Sequence, residues 1–131
     1  MSRLKHFDNL GTARFITISC FRRLRLLLED HTKILFLEEL AAARNRHKFK
    51  LYAYVIMPDH VHLVIYPSSA MSVGPVIGEI KAKSARKILD YFRQINYPML
   101  TQLQVRQKKY PQAGIMDTTM LRSQLPDRQN N

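Results

Sequence analysis

The chain has 131 residues, with 21 Lys and Arg against 10 Asp and Glu, for a formal charge of +11 at pH 7. A surplus of that size on one small domain points to a polyanionic partner, nucleic acid first, because phosphate neutralisation and counterion release drive such binding. The single cysteine, Cys20, excludes an internal disulfide and a Cys-based zinc site. No apolar run approaches the ~20 residues needed to cross a bilayer. Residues Met1 to Asn9 lack the apolar centre of a secretory signal, so a cytoplasmic protein is expected, with no membrane partner.

Residues 13–20 alternate Phe15, Thr17 and Ser19 with Ile16, Ile18 and Cys20, the period of a strand. A basic turn follows, with Arg22, Arg23 and Arg25. From Asp30 to His47 the pattern turns helical. Asp30 or Thr32 is placed to cap it, Ile34, Leu37, Leu40 and Ala41 form the expected inward stripe, and Arg44, Arg46, His47 and Lys48 suit the negative end of the helix dipole. Residues 49–57 read as a second strand, Pro58-Asp59 as a turn and 60–66 as a third strand, together a hairpin. A second helix is expected from Val73 to Gln94. Val73, Val76, Ile77, Ile80, Ser84, Ile88 and Phe92 share its apolar face, and Lys81, Lys83, Arg86, Lys87 and Arg93 lie mostly elsewhere.

The order β-α-β-β-α is most of a ferredoxin-like split βαβ sandwich, an α+β fold with helices on one face of an antiparallel sheet. That fold requires a fourth strand, for which Leu103-Gln-Val105 is a poor candidate, so the C-terminal part reads as incomplete. The expected division is one domain over 1–106 and an irregular tail over 107–131.

The most specific segment is Met57-Pro-Asp-His-Val-His-Leu-Val64. Side chains two apart on a strand point the same way, which sets His60 and His62 side by side. Two imidazoles so placed can ligate one divalent cation and leave its other positions open for water and phosphate oxygens. The bare pattern is equally compatible with two histidines bonded to backbone.

The longer string resembles the His-hydrophobic-His signature of the single-tyrosine transposases, of the IS200-like and REP-associated type. Residues 13–28, Lys50 to Met57 and Gly78 to Lys83 are similar to the segments that flank that signature, and the resemblance spans roughly 10–95. It implies a ferredoxin-like core and a metal-ligand role for His60 and His62 toward Mg²⁺ or Mn²⁺. It further implies single-stranded DNA with hairpin structure as partner. The implied chemistry is attack by a helix-borne tyrosine, giving a 5′-phosphotyrosine and a free 3′-OH. The Arg22, Arg23 and Arg25 turn and the Lys81, Lys83, Arg86 and Lys87 face are the expected DNA contacts. IS200-like relatives pair through sheet edges, and a chain short of its fourth strand would leave an edge to recruit a second copy as a homodimer.

The pattern departs from that family after the second helix. The chain has no Trp and no Tyr-Ile-x-x-Asn-Pro-like segment. Tyr91 lies upstream of the expected nucleophile, and Tyr97 precedes Pro98. Tyr110 is nearest in order, although Pro111 after it disfavours a helix. Three functions remain open: a metal-dependent nickase and strand transferase, a binding module that grips DNA hairpins without cutting, and an unrelated RNA binder with aromatics on its strands. Phe15, Tyr52 and Tyr54 would serve the last, though the Lys/Arg-Gly-Phe-x-Phe pattern is absent.

Overall fold

The computed structural model of the chain describes residues 12–103 and 116–122, with side chains described through Leu103 and at Met116. Strand β1 spans Arg14–Cys20, helix α1 Asp30–His47, β2 Lys50–Met57, β3 His60–Tyr66, helix α2 Val73–Gln94 and β4 Met116–Arg122. The sheet order is β2-β3-β1-β4, antiparallel throughout. With both helices on one face, this is the ferredoxin-like arrangement.

Alternation along the strands decides the layers. Ile16, Ile18 and Cys20 of β1 and Val61, Leu63 and Ile65 of β3 are buried at 3% exposure or less. They meet Phe36, Leu40 and Ala43 of α1 and Ile77, Ile80, Ile88 and Phe92 of α2 in one core. Each of the Val, Leu, Ile and Phe side chains among them contributes roughly 1.5–3 kcal/mol through burial. The intervening strand residues face the other way, where no described helix packs.

Helix α2 holds its expected span and inward face. Pro75 is tolerated because it sits in the first turn, where no intrahelical N–H bond is lost. Helix α1 holds its span but not its stripe. Thr32, Phe36, Glu39, Leu40 and Ala43 face inward, while Ile34 is 50% exposed and Ala41 is exposed. Neither Asp30 nor Thr32 caps it: Glu29 is the N-cap residue, and the Thr32 hydroxyl donates to the Glu29 carbonyl at 3.0 Å. Apolar residues occur almost all round this helix, so periodicity alone does not select a face.

The fourth strand lies at Met116–Arg122, inside the stretch expected to be an irregular tail, and pairs along the whole of β1. The poor candidate at Leu103 is instead part of a helical turn over 100–103, with Leu103 fully buried. Met116 begins β4 as a core residue, 2% exposed, with its sulfur 4.0 Å from the Ser84 hydroxyl. Because β4 covers the outer side of β1, the unpaired edge from which a homodimer was expected is filled.

Candidate metal and nucleic-acid site

His60 and His62 open β3 on the face away from the helices, with Val61 buried between them. Their ring centroids are 4.7 Å apart and the planes lie at 78°. Register sets the neighbours: Ser19 and Thr17 of β1 lie opposite His60 and His62 on one side, and Met57 and Val55 of β2 on the other.

Each imidazole is held by its Nδ1. His60 Nδ1 lies 2.7 Å from Asp59 Oδ1. A carboxylate only accepts, so the proton sits on Nδ1 and leaves Nε2 as a bare lone pair. His62 Nδ1 lies 3.0 Å from the Thr17 hydroxyl. In the tautomer whose Nδ1 donates into that oxygen, His62 likewise keeps Nε2 free. Imidazoles that ligate metals are commonly fixed through their second nitrogen in this way. The chain therefore offers two nitrogen ligands fit for a divalent cation, with Asp59 and Thr17 as orienting groups. Among the described residues no group of three His, Cys, Asp or Glu side chains forms a closed cage.

Arg23 completes the cluster. Its Nε donates to Asp59 Oδ2 at 3.1 Å, and its Nη2 stands 3.2 Å from His60 Nδ1. With the Nδ1 proton pledged to Asp59, the productive Arg23 bond is the one to the carboxylate. The bond from His60 is the main reason the Asp59 carboxyl is held below its ordinary value, and Arg23 acts in the same direction. Arg23 reaches this position because Arg22 and Arg23 both take left-handed backbone, with φ of 52° and 56°. Two L-residues in that region cost roughly 1–2 kcal/mol each. Backbone bonds anchor both sides of the turn: Cys20 N donates to the Asp59 carbonyl at 3.0 Å and Leu27 N to the Pro58 carbonyl at 2.9 Å.

The expected DNA contacts do not gather in one place. Arg22 and Arg25 are exposed in the turn whose Arg23 reaches the histidine site, with Arg22 stacked on its neighbour Phe21 at 5.1 Å. Arg23 is committed to Asp59. Lys81, Lys83, Arg86 and Lys87 lie on α2, across the sheet from the histidines. Lys87 is paired to Glu39 at 2.5 Å and Glu38 at 3.7 Å, and the Glu39 bond holds its ammonium above its ordinary value. Lys83 faces Glu79 at 3.9 Å, which also takes Arg46 and His47. Lys81 and Arg86 have no carboxylate partner among the described residues.

Tyrosine geometry is equally definite. The Tyr91 hydroxyl donates to Glu29 at 3.1 Å, a bond that raises its pKa and so disfavours the phenolate. Tyr97 stacks on Phe92 at 4.6 Å against the core. Both belong to the helix layer. Tyr66 shares the histidine face but stands four residues beyond His62, about 13 Å along the strand. Tyr110 lies outside the described residues. Sequence reasoning missed Thr17 and the orienting role of Asp59. The first needs the β1–β3 register, which one strand's pattern does not contain.

The family model described as "Transposase IS200 like" matches residues 11–114. Two solved structures share the fold. One is a REP-associated tyrosine transposase bound to a REP hairpin, 14% identical, TM-score 0.58, over 92% of this chain and 61% of that one. The other, described as a transposase of Deinococcus radiodurans R1, is 17% identical with a TM-score of 0.61, over 90% of this chain and 83% of that one. This chain thus spans less than two thirds of the first. No curated protein matches it. A ferredoxin-like sheet carrying His60 and His62 on its uncovered face, and a family model that matches most of the sequence, lead to one statement: the chain belongs to the IS200-like transposase family.

Proposed function

We propose that this chain binds hairpin-bearing single-stranded DNA and presents a phosphodiester to His60 and His62 for transposition. The observation that carries the reading is the 2.7 Å contact between His60 Nδ1 and Asp59 Oδ1. A carboxylate on Nδ1 leaves Nε2 free to ligate, which a histidine kept for packing does not require. Mg²⁺ or Mn²⁺ held there would supply Lewis-acid polarisation of a phosphoryl oxygen. His60 and His62 bind it, Asp59 and Thr17 orient them, and Arg22 and Arg25 hold neighbouring phosphates. The Lys81 and Arg86 side of α2 takes a more distant stretch of the DNA. No helix among the described residues is long and apolar enough to cross a membrane, and the +11 charge suits a polynucleotide.

In the cleavage step a tyrosine oxygen bonds to phosphorus as the bond to the 3′ oxygen breaks. That oxygen leaves with a proton as a free 3′-OH. Tyr110 is the candidate nucleophile by its order along the chain alone. A second reading, a hairpin-binding module without cleavage, is favoured by the described tyrosines, which are all held away from the histidine pair. One experiment separates them: denaturing electrophoresis after incubating the chain with labelled hairpin DNA and Mn²⁺. A slow-migrating covalent species that Tyr110→Phe removes establishes cleavage by Tyr110. DNA bound without any such species establishes the binding module. Failure to bind hairpin DNA at low salt would sink both. Pairing of two copies would have to use the outer edge of β2 or β4, and sedimentation at high concentration tests it.

A further inference from the structure

The uncovered sheet face carries a second feature, at the far end of the same strand as the histidines. Tyr66 is 36% exposed and Tyr52 is 57% exposed, and their rings meet edge to face at 5.9 Å. The backbone explains the meeting. Register shifts between Leu51 and Ala53, so Tyr52 sits in an irregularity of β2 that lets it turn toward Tyr66. Lys50, opposite Tyr66 in the register, puts its Nζ 6.0 Å from the Tyr66 ring centroid. Neither Lys50 nor the exposed Lys48 before it has a carboxylate partner among the described residues.

Between tyrosines and histidines the face is small and apolar. Ala53 and Val64 form the intervening row, and Val55 and Met57, 52% and 41% exposed, flank the histidines. Large aromatic surface left in water at the end of a strand pair has no role in the core, which lies on the other face. An isolated exposed tyrosine needs no explanation. Two touching tyrosines under an unpaired lysine, on the face that carries the histidine pair, do.

Resting on the function proposed above, we infer that Tyr52 and Tyr66 form a stacking platform for the bases of unpaired nucleotides. These nucleotides belong to the DNA strand whose phosphate lies at the histidines. Stacking on aromatic rings with cations along the backbone is how single strands are held without sequence readout. Charge complementarity selects the occupant, since Lys50 borders the Tyr66 ring and the chain carries +11. Continuity selects the distance. The separation of about 13 Å between His62 and Tyr66 spans roughly two to four nucleotides of a strand rising 3.4 Å or more per step. Tyr54 is outside the platform: it pairs with Leu63, on the opposite parity, and is exposed only as part of the edge strand.

The test uses the whole chain and a fluorescein-labelled DNA hairpin with four-nucleotide flanks on each side, in EDTA, so that metal binding does not enter. Tyr66→Ala and Tyr52→Ala should each weaken binding of the flanked hairpin roughly 5- to 150-fold. The same variants should leave the blunt hairpin unaffected. Tyr66→Phe should bind like the parent, because the ring is what stacks, and Tyr54→Ala should as well. Abasic flanks should bind the parent no better than the blunt hairpin. Equal affinity of Tyr66→Ala and the parent for the flanked hairpin would overturn the platform. So would full affinity for abasic flanks, or tighter binding of the same flanks made of RNA. Circular dichroism checks that each variant is folded, and Tyr66→Phe carries the question if Tyr66→Ala is not. If the parent binds the blunt hairpin and Arg22→Gln weakens it while the tyrosines do not matter, the platform falls and the proposed function stands. If no DNA binds, both fall.

Discussion

The two faces of the sheet treat charge in opposite ways. On the helix layer, several positive side chains are spent on the protein itself, Lys81 and Arg86 excepted: Lys87 bridges α2 to Glu38 and Glu39 of α1, and Glu79 draws Arg46, His47 and Lys83 together. On the uncovered face, Lys50 has no carboxylate partner among the described residues, nor do the exposed Arg22 and Arg25 of the turn after β1 or Lys48 ahead of β2, and the Arg23–Asp59 pair at the site serves to aim a histidine. A charge total therefore overstates how much of a basic protein is available to DNA. The available part depends on which cations have no acidic neighbour, and that follows from packing.

The contrast breaks most sharply at the histidines. His62→Ala should abolish Mn²⁺ binding in calorimetry while the far-ultraviolet dichroism stays unchanged, since His62 is exposed and outside the core. Retained Mn²⁺ affinity would remove the two faces' main distinction. Next in size is the orienting cluster. Asp59→Asn should lower Mn²⁺ affinity roughly 10- to 100-fold, the usual cost of losing the partner of a ligating histidine. Arg23→Ala should produce a smaller loss in the same direction, and an imidazole ¹⁵N spectrum should show His60 losing its Nδ1–H preference. Unchanged spectra would mean that Arg23 is only a surface charge.

Adjacent residues of β1 sharpen the comparison further. Ser19 is on the uncovered face and Cys20 on the helix face, where burial pushes its thiol up to about 12 from 9.0. The thiol should therefore resist iodoacetamide at pH 8 and react once the chain is unfolded. The sign follows from proton counts. Between pH 9 and 12 the folded state keeps a proton that the unfolded state loses, so this group makes stability fall as pH rises through that window, by at most about 1.4 kcal/mol per unit. Cys20→Ser should flatten that part of the urea midpoint profile. The smallest expected effect concerns single cations. Arg22→Gln should reduce the salt dependence of DNA binding by about one phosphate equivalent. Lys87→Gln should leave that slope alone and cost under about 1 kcal/mol of stability, because the pair it breaks is partly in solvent. A Lys87 effect on the slope equal to that of Arg22 would show that the ion pairs open when DNA binds.

Local pattern was a good guide where one face of an element is strongly apolar. The α2 stripe and the alternation of β1 and β3 were legible for that reason, and the strand period alone put His60 and His62 on one side. It failed where the decision is made by a partner. Helix α1 has apolar residues around most of its circumference, so its inward face is chosen by α2, and Glu39 is tolerated there because Lys87 reaches it. Strand β4 reads Met-Asp-Thr-Thr-Met-Leu-Arg, with only Thr118, Thr119 and the Met116–Met120 spacing to mark it. Its pairing with β1 supplies what the sequence pattern lacks. Arg23, expected to contact DNA, also bonds Asp59, a contact that the left-handed backbone at Arg22 and Arg23 permits and the sequence pattern does not announce.

That β4 pairs with β1 has a consequence for how the molecule is made. The first strand of the sheet is interior, yet one of its two partners lies about 100 residues further along the chain, from Arg14–Cys20 to Met116–Arg122. At about 5–20 residues per second, β1 exists for on the order of 5–20 s before β4 does. Throughout that interval a row of its N–H and C=O groups lies open along one edge of a nascent β1–β3–β2 sheet. Such an edge accepts any extended strand nearby, including the β1 of another nascent copy. Crowded synthesis on one message thus favours strand exchange between neighbours, and the rate at which the ribosome delivers residues 116–122 sets how long each copy is open to it.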